Sequence, residues 1–173
     1  MNRRNSLKAL LAAAGGAVAL PAWAQQWTKA DLPPATGFFS SAEQQAMASI
    51  ADTIIPRGNA IGALSVGVDK FLVGLLENCY EEEVQLNVKK QLAVLNTQAQ
   101  ALKQQDFYAC DQAQREKLLL GFQGVDEKAA KDFFDLMKSE TIRGFNTSKE
   151  VMLGYLKYKV VPGHYYGCVE ATR

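Results

Sequence analysis

Residues 161–168, VPGHYYGC, gather the chain's only histidine, His164, with Tyr165, Tyr166 and Cys168. Three chemistries suit that set. An imidazolium near a thiol lowers its pKa, and Cys168 lies four residues from His164, so an activated thiolate is one reading. A hydrolase triad is a second, with His164 between a Ser or Cys and a carboxylate such as Glu170. No motif announces the activated geometry that nucleophilic catalysis needs. A docking surface is the third.

The wider sequence removes most cofactor chemistry from this chain. Cys79, Cys110 and Cys168 are far apart, whereas c-type haem requires Cys-x-x-Cys-His and zinc or iron–sulfur sites want closely spaced Cys or His. Neither Gly-x-Gly-x-x-Gly nor Gly-x-x-x-x-Gly-Lys-Ser/Thr occurs; Gly121-x-x-Gly124 reads as helix punctuation. No catalytic, cofactor-binding or metal residue is expected here. The docking reading gives each tail residue a role. Pro162 sets one backbone angle and Gly163 frees the next, so the pair turns the chain. Tyr165 and Tyr166 then offer large, rigid contact area with a polar tip, followed by Gly167 and Cys168. His164 falls at the surface or in the interface.

The N-terminus reads as an export signal. Arg3, Arg4 and Lys8 make a basic start, Ala9 to Leu20 are apolar and uncharged, and Ala22-Trp23-Ala24 has the small-x-small form of a cleavage site. The apolar run is shorter than the roughly 20 residues of a membrane span. Arg3, Arg4, Leu7 and Lys8 resemble the twin-arginine signal, which carries proteins already folded; Ser6 stands where that signal usually has Phe. Cleavage after Ala24 removes three basic residues and no acidic one, leaving a weakly acidic protein in the periplasm. In that oxidising compartment, three cysteines permit one internal bridge and leave one sulfur over. The preferred pairing is Cys79 with Cys110, leaving Cys168 for a partner; spacing alone leaves other connectivities open.

These residues need a scaffold, and the pattern is helical throughout. Residues 25–39, with Pro33-Pro34, read as an extended leader. Ser40-x-x-Glu43 has capping-box spacing and opens a helix whose stripe is Met47, Ile50, Ala51, Ile54 and Ile55; Pro56 ends it. A turn over 57–62 leads to a second helix from about Ser65, burying Val68, Phe71, Leu72, Leu75 and Leu76 and breaking near Cys79-Tyr80. Val88, Leu92, Leu95, Ala99 and Leu102 step by fours and threes; two heptads are too few for a zipper, so this is a helix face in a bundle. Glu81, Glu82 and Glu83 read as a solvated face. Asp111-x-x-Gln114 opens another helix through Phe122, and Asp126 is the expected cap of the next, which carries Ala130, Phe133, Phe134 and Met137 inward and ends at Gly144. A short helix over about 148–158 leads into the tail. The expected fold is all-α, an irregular bundle of about six helices, with one domain over 40–173.

Composition agrees with a folded domain. Apolar residues at 48% and charged residues at 21% argue against disorder. Lys and Arg (19) nearly balance Asp and Glu (18), so no basic stripe invites nucleic acid.

Two stretches carry a family resemblance. IADTIIPRGNAIGALSVGVDKFLVGLL, residues 50–76, is similar to the front motif of the small subunit of gluconate 2-dehydrogenase, the subunit 3 family. RGFNTSKEVMLGYLKYKVVPGHYYGC, residues 143–168, resembles that family's closing pattern, in Gly144-Phe145, Thr147-Ser148, Leu156-x-Tyr158 and Pro162-Gly163-x-x-Tyr166-Gly167-Cys168. One departure is Ile61, where many relatives have Pro; residues 80–125 match in helical character alone. The resemblance implies a non-catalytic partner of a larger FAD-binding dehydrogenase of the glucose–methanol–choline type, often joined by a multihaem cytochrome c carrying haem c. Membrane contact would come only through that complex. The large subunit would oxidise a sugar, sugar acid or polyol, and the small one would carry the export signal for both. A stand-alone exported helical binding module and an independent enzyme are the other classes. A neighbouring reading frame with Gly-x-Gly-x-x-Gly near its start would separate the complex from both.

Overall fold

In a computed structural model, residues 37–123, 127–159 and 163 are described. Among them stand six α-helices and no strand: α1 (Ser41–Ile54), α2 (Val68–Cys79), α3 (Glu82–Lys103), α4 (Gln112–Gln123), α5 (Lys128–Asn146) and α6 (Lys149–Gly154). Short 3-10 turns at Ala63–Val66 and Phe107–Ala109 precede α2 and α4. The all-α expectation holds, with the helix number as read.

Both capping boxes form. Glu43 Oε2 accepts from the Ser40 N–H at 2.7 Å, and Ser40 Oγ accepts from the Glu43 N–H at 3.4 Å. At α4, Asp111 Oδ1 accepts from the Gln114 N–H at 2.8 Å, while Gln114 Oε1 accepts from the Asp111 N–H at 3.3 Å. Each box satisfies backbone donors that the first helical turn leaves without partners. Glu82 and Glu83 lie exposed in the first turn of α3, where carboxylates favour the positive end of the helix dipole.

The core gathers on α1, which packs against α2, α3, α4 and α5. Met47, Ile50 and Ala51 are fully buried there, facing Leu72 and Leu76 of α2, Val88 and Leu95 of α3, and Phe133 and Met137 of α5 within one cluster. Arg115 of α4 reaches Asp52 of α1 at 3.0 Å, a pairing strengthened by partial burial on both sides. Tyr80 donates to Glu140 Oε1 at 3.0 Å, and Arg143 Nε sits 3.2 Å from the other oxygen of that carboxylate. Partial burial, then the Glu140 carboxylate, push the Tyr80 phenol above its ordinary 10.0.

Several details differ from the sequence reading. Phe38 and Phe39, the last residues of the expected leader, join the domain: Phe39 is buried, its N–H donates to Glu77 Oε1 at 3.2 Å, and Lys89 lies 4.7 Å over the Phe38 ring. Leu102 does not continue the buried face of α3, because Gln104 turns left-handed at φ 56° and the helix ends over solvent, leaving Leu102 69% exposed. The second helix is interrupted by Gly67 between the 3-10 turn and α2. The last helix is shorter than expected, closing at Gly154.

Gly144 does not end α5 either, since the helix runs on to Asn146. The position is small because α2 comes close. A Cβ there would lie 2.5 Å from Phe71 Cδ1, so the missing side chain admits the aromatic ring. The two stretches that resemble the family's opening and closing motifs meet at this contact, 73 positions apart in the chain.

Candidate docking surface

Most of the residues first singled out fall beyond the described ones. Arg3, Arg4, Leu7, Lys8, Ala22 and Ala24 of the expected signal do so, as do Pro162, His164, Tyr165, Tyr166, Gly167 and Cys168 of the tail. Gly163 is described: it is exposed with φ 79°, the left-handed backbone that glycine after proline supplies. The expected Cys79–Cys110 bridge is not formed in the structure. Both are free thiols in the structure; Cys79 is exposed at the C-terminal end of α2, and Cys110 packs in the core after the second 3-10 turn.

What the fold does bring together is the turn after α1 and the segment that leads into the tail. Residues 57–61, Ser65 and Tyr155 line an open cleft of about 550 Å³. The turn is built by its backbone. The Ala63 N–H donates to the Ile55 carbonyl at 2.9 Å, closing the loop at its base. Gly62, buried beneath it, lies so near the returning chain that a Cβ would sit 2.6 Å from the Arg57 nitrogen and 2.9 Å from the Pro56 carbonyl carbon. That approach shapes the turn without a proline at 61. Arg57, Gly58, Asn59 and Ala60 are left exposed, and Arg57 has no ion pair with any described residue.

The other wall is the end of α6. Tyr155, Leu156 and Tyr158 donate backbone N–H groups to the carbonyls of Val151, Val151 and Met152, between 2.9 and 3.0 Å, and Lys157 takes a left-handed φ of 51°. The chain is thus wound tightly onto a helix anchored by buried Val151. Its side chains nevertheless point outward: Leu153, Tyr155, Leu156 and Tyr158 are each half exposed or more. Exposed apolar groups gathered next to a concavity mark surfaces that meet other molecules. A guanidinium, a carboxamide, a hydroxyl and a phenol around the cleft can hold a carboxylate by charge-assisted hydrogen bonds. Among the described residues no group of three His, Cys, Asp or Glu side chains is placed to hold a metal ion. Nor is any described helix long and apolar enough to cross a membrane.

The sequence does not mark Arg57, Tyr155 and Leu156 as docking residues, because nothing in the chain says that positions 57 and 155 are neighbours. The available signal was that one lies in each family-like stretch. No curated protein and no solved structure matches the chain. A family model described as gluconate 2-dehydrogenase subunit 3 matches residues 41–163, from the first residue of α1 to the described Gly163. That span is well over half of the sequence and includes both walls of the cleft, and the chain belongs to the gluconate 2-dehydrogenase subunit 3 family.

Proposed function

We propose that this chain is the non-catalytic small subunit of a periplasmic FAD-dependent sugar or sugar-acid dehydrogenase. It stabilises the flavoprotein subunit and escorts it, folded, through twin-arginine export. The observation that carries the reading is the family match over residues 41–163, since a third subunit of a dehydrogenase works beside other chains. The Arg3-Arg4 signal supports the export half. A signal that moves folded cargo is useful when the cargo must acquire FAD inside the cell, and this chain contains no nucleotide-cradling motif of its own. FAD would belong to the large subunit and haem c to a cytochrome subunit that passes electrons onward.

The test is coexpression of the flavoprotein subunit with this chain carrying Arg3→Lys and Arg4→Lys. Active flavoprotein is expected to remain in the cytoplasm, and its arrival in the periplasm would refute the escort role. Dye-linked sugar oxidation should copurify with the complex and be missing from the isolated mature small subunit. Turnover by the small subunit alone would overturn the non-catalytic assignment.

A further inference from the structure

The cleft and the α6 end differ in charge from the rest of the domain. Residues 56–65 and 149–159 carry Arg57, Lys149, Lys157 and Lys159 against Glu150 alone, all exposed. The remaining described residues hold fourteen acidic side chains against ten basic ones. A domain that is acidic elsewhere thus turns basic around its exposed apolar side chains. Such a face attracts an acidic partner over distance, while the apolar groups supply the contact that keeps it.

From this we infer that the face binds an acidic segment of the flavoprotein subunit, one that sets a carboxylate against Arg57 and an apolar or aromatic side chain against Tyr155 and Leu156. The inference rests on the small-subunit reading above and adds the place and chemistry of contact. Arg57 is suited to the role because it is exposed, lines the cleft and has no described acidic partner to displace. Tyr155 and Leu156, each 59% exposed, lie just past the end of α6, and their backbone N–H groups are held by the carbonyl of buried Val151, so little scaffold needs ordering on binding. A concave site with a single guanidinium fits an inserted side chain better than a flat lipid surface.

The experiment measures affinity between the full mature small subunit and the flavoprotein subunit encoded beside it, for wild type, Arg57→Glu and the double variant Tyr155→Ala, Leu156→Ser. Leu102→Ser, at a still more exposed apolar residue on α3, serves as control. Circular dichroism confirms that each variant keeps its helices. The expected result is a loss of roughly tenfold or more for Arg57→Glu and for the double variant, with Leu102→Ser at wild-type affinity and the wild-type association slowed by salt. If wild type binds and both cleft variants bind as tightly, the docking inference fails while the small-subunit reading stands. If wild type does not bind the flavoprotein at all, both fail. Two further arms assign the face elsewhere and so overturn the inference: self-association of the wild-type chain abolished by the cleft variants, or their loss of binding to equimolar phosphatidylglycerol–phosphatidylcholine vesicles while the flavoprotein complex is unchanged.

Discussion

Two interhelical connections of similar length are built in opposite ways. The 104–111 connection between α3 and α4 is tied back by polar side chains to the end of α3. Asp106 Oδ1 accepts from Gln100 at 2.7 Å and from Asn96 at 3.0 Å, Asn96 Oδ1 accepts from the Phe107 N–H at 3.0 Å, and Phe107 is thereby seated fully buried. The 55–63 connection between α1 and the first 3-10 turn is shaped by backbone, through Gly62 and the Ala63 to Ile55 hydrogen bond, and leaves Arg57 and Asn59 facing outward. A connection that satisfies its own polar groups contributes to the fold. One that leaves them unspent, over a rigid base, is free to meet something else.

Substitutions should separate the two. The largest effect is expected from Phe107→Ala, which empties a fully buried site and should cost about 3–5 kcal/mol in urea unfolding. A loss under about 1 kcal/mol would mean that the 104–111 connection is not part of the core. Next, Gly62→Ala forces a methyl group against backbone atoms 2.6 Å away and should cost about 1–3 kcal/mol. Wild-type stability there would show that the 55–63 turn does not depend on that approach. Asn96→Ala removes both the acceptor of the Phe107 N–H and a donor to Asp106, at a cost of about 1 kcal/mol.

A pH series probes the same connection more gently. Hydrogen bonds from Gln100, then Asn96, hold the Asp106 carboxyl below its ordinary 3.8. Because the folded value is the lower one, the stabilisation is present above 3.8 and is lost as pH falls through the folded value. Asp106→Asn should therefore flatten the stability profile of wild type in that acid range, and an unchanged profile would remove Asp106 from the account. The smallest stability effect is expected for Arg57→Glu, within about 0.5 kcal/mol of wild type, since no described group pairs with it. A larger loss would make Arg57 structural and erase the contrast between the two connections.

The helices were legible because apolar spacing and caps act locally. Ser40 with Glu43, and Asp111 with Gln114, announce their helix starts within four residues, and Met47, Ile50 and Ala51 show their buried face by spacing alone. Leu102 broke the pattern because a helix that outruns its neighbours leaves its last apolar residue in water. Gly144 departs from the helix-end expectation for a related reason. Glycine near a helix end is equally consistent with a left-handed stop and with a close crossing, and only the arrival of Phe71 from another helix decides between them.

The candidate surface divides in the same manner. Residue types and local periodicity, which depend on neighbours a turn away, were enough to establish an all-α domain and the capped helix starts at Ser40 and Asp111, while the stretches 50–76 and 143–168 carried its likeness to the subunit 3 family. The cleft depended on which helices cross. Arg57 and Tyr155 become walls of one site only when α1, α2, α5 and α6 pack, and Cys79 and Cys110 end as separate free thiols because packing sends one to solvent and the other into the core. Burial and long-range adjacency belong to the whole chain's collapse, which no short stretch of it encodes.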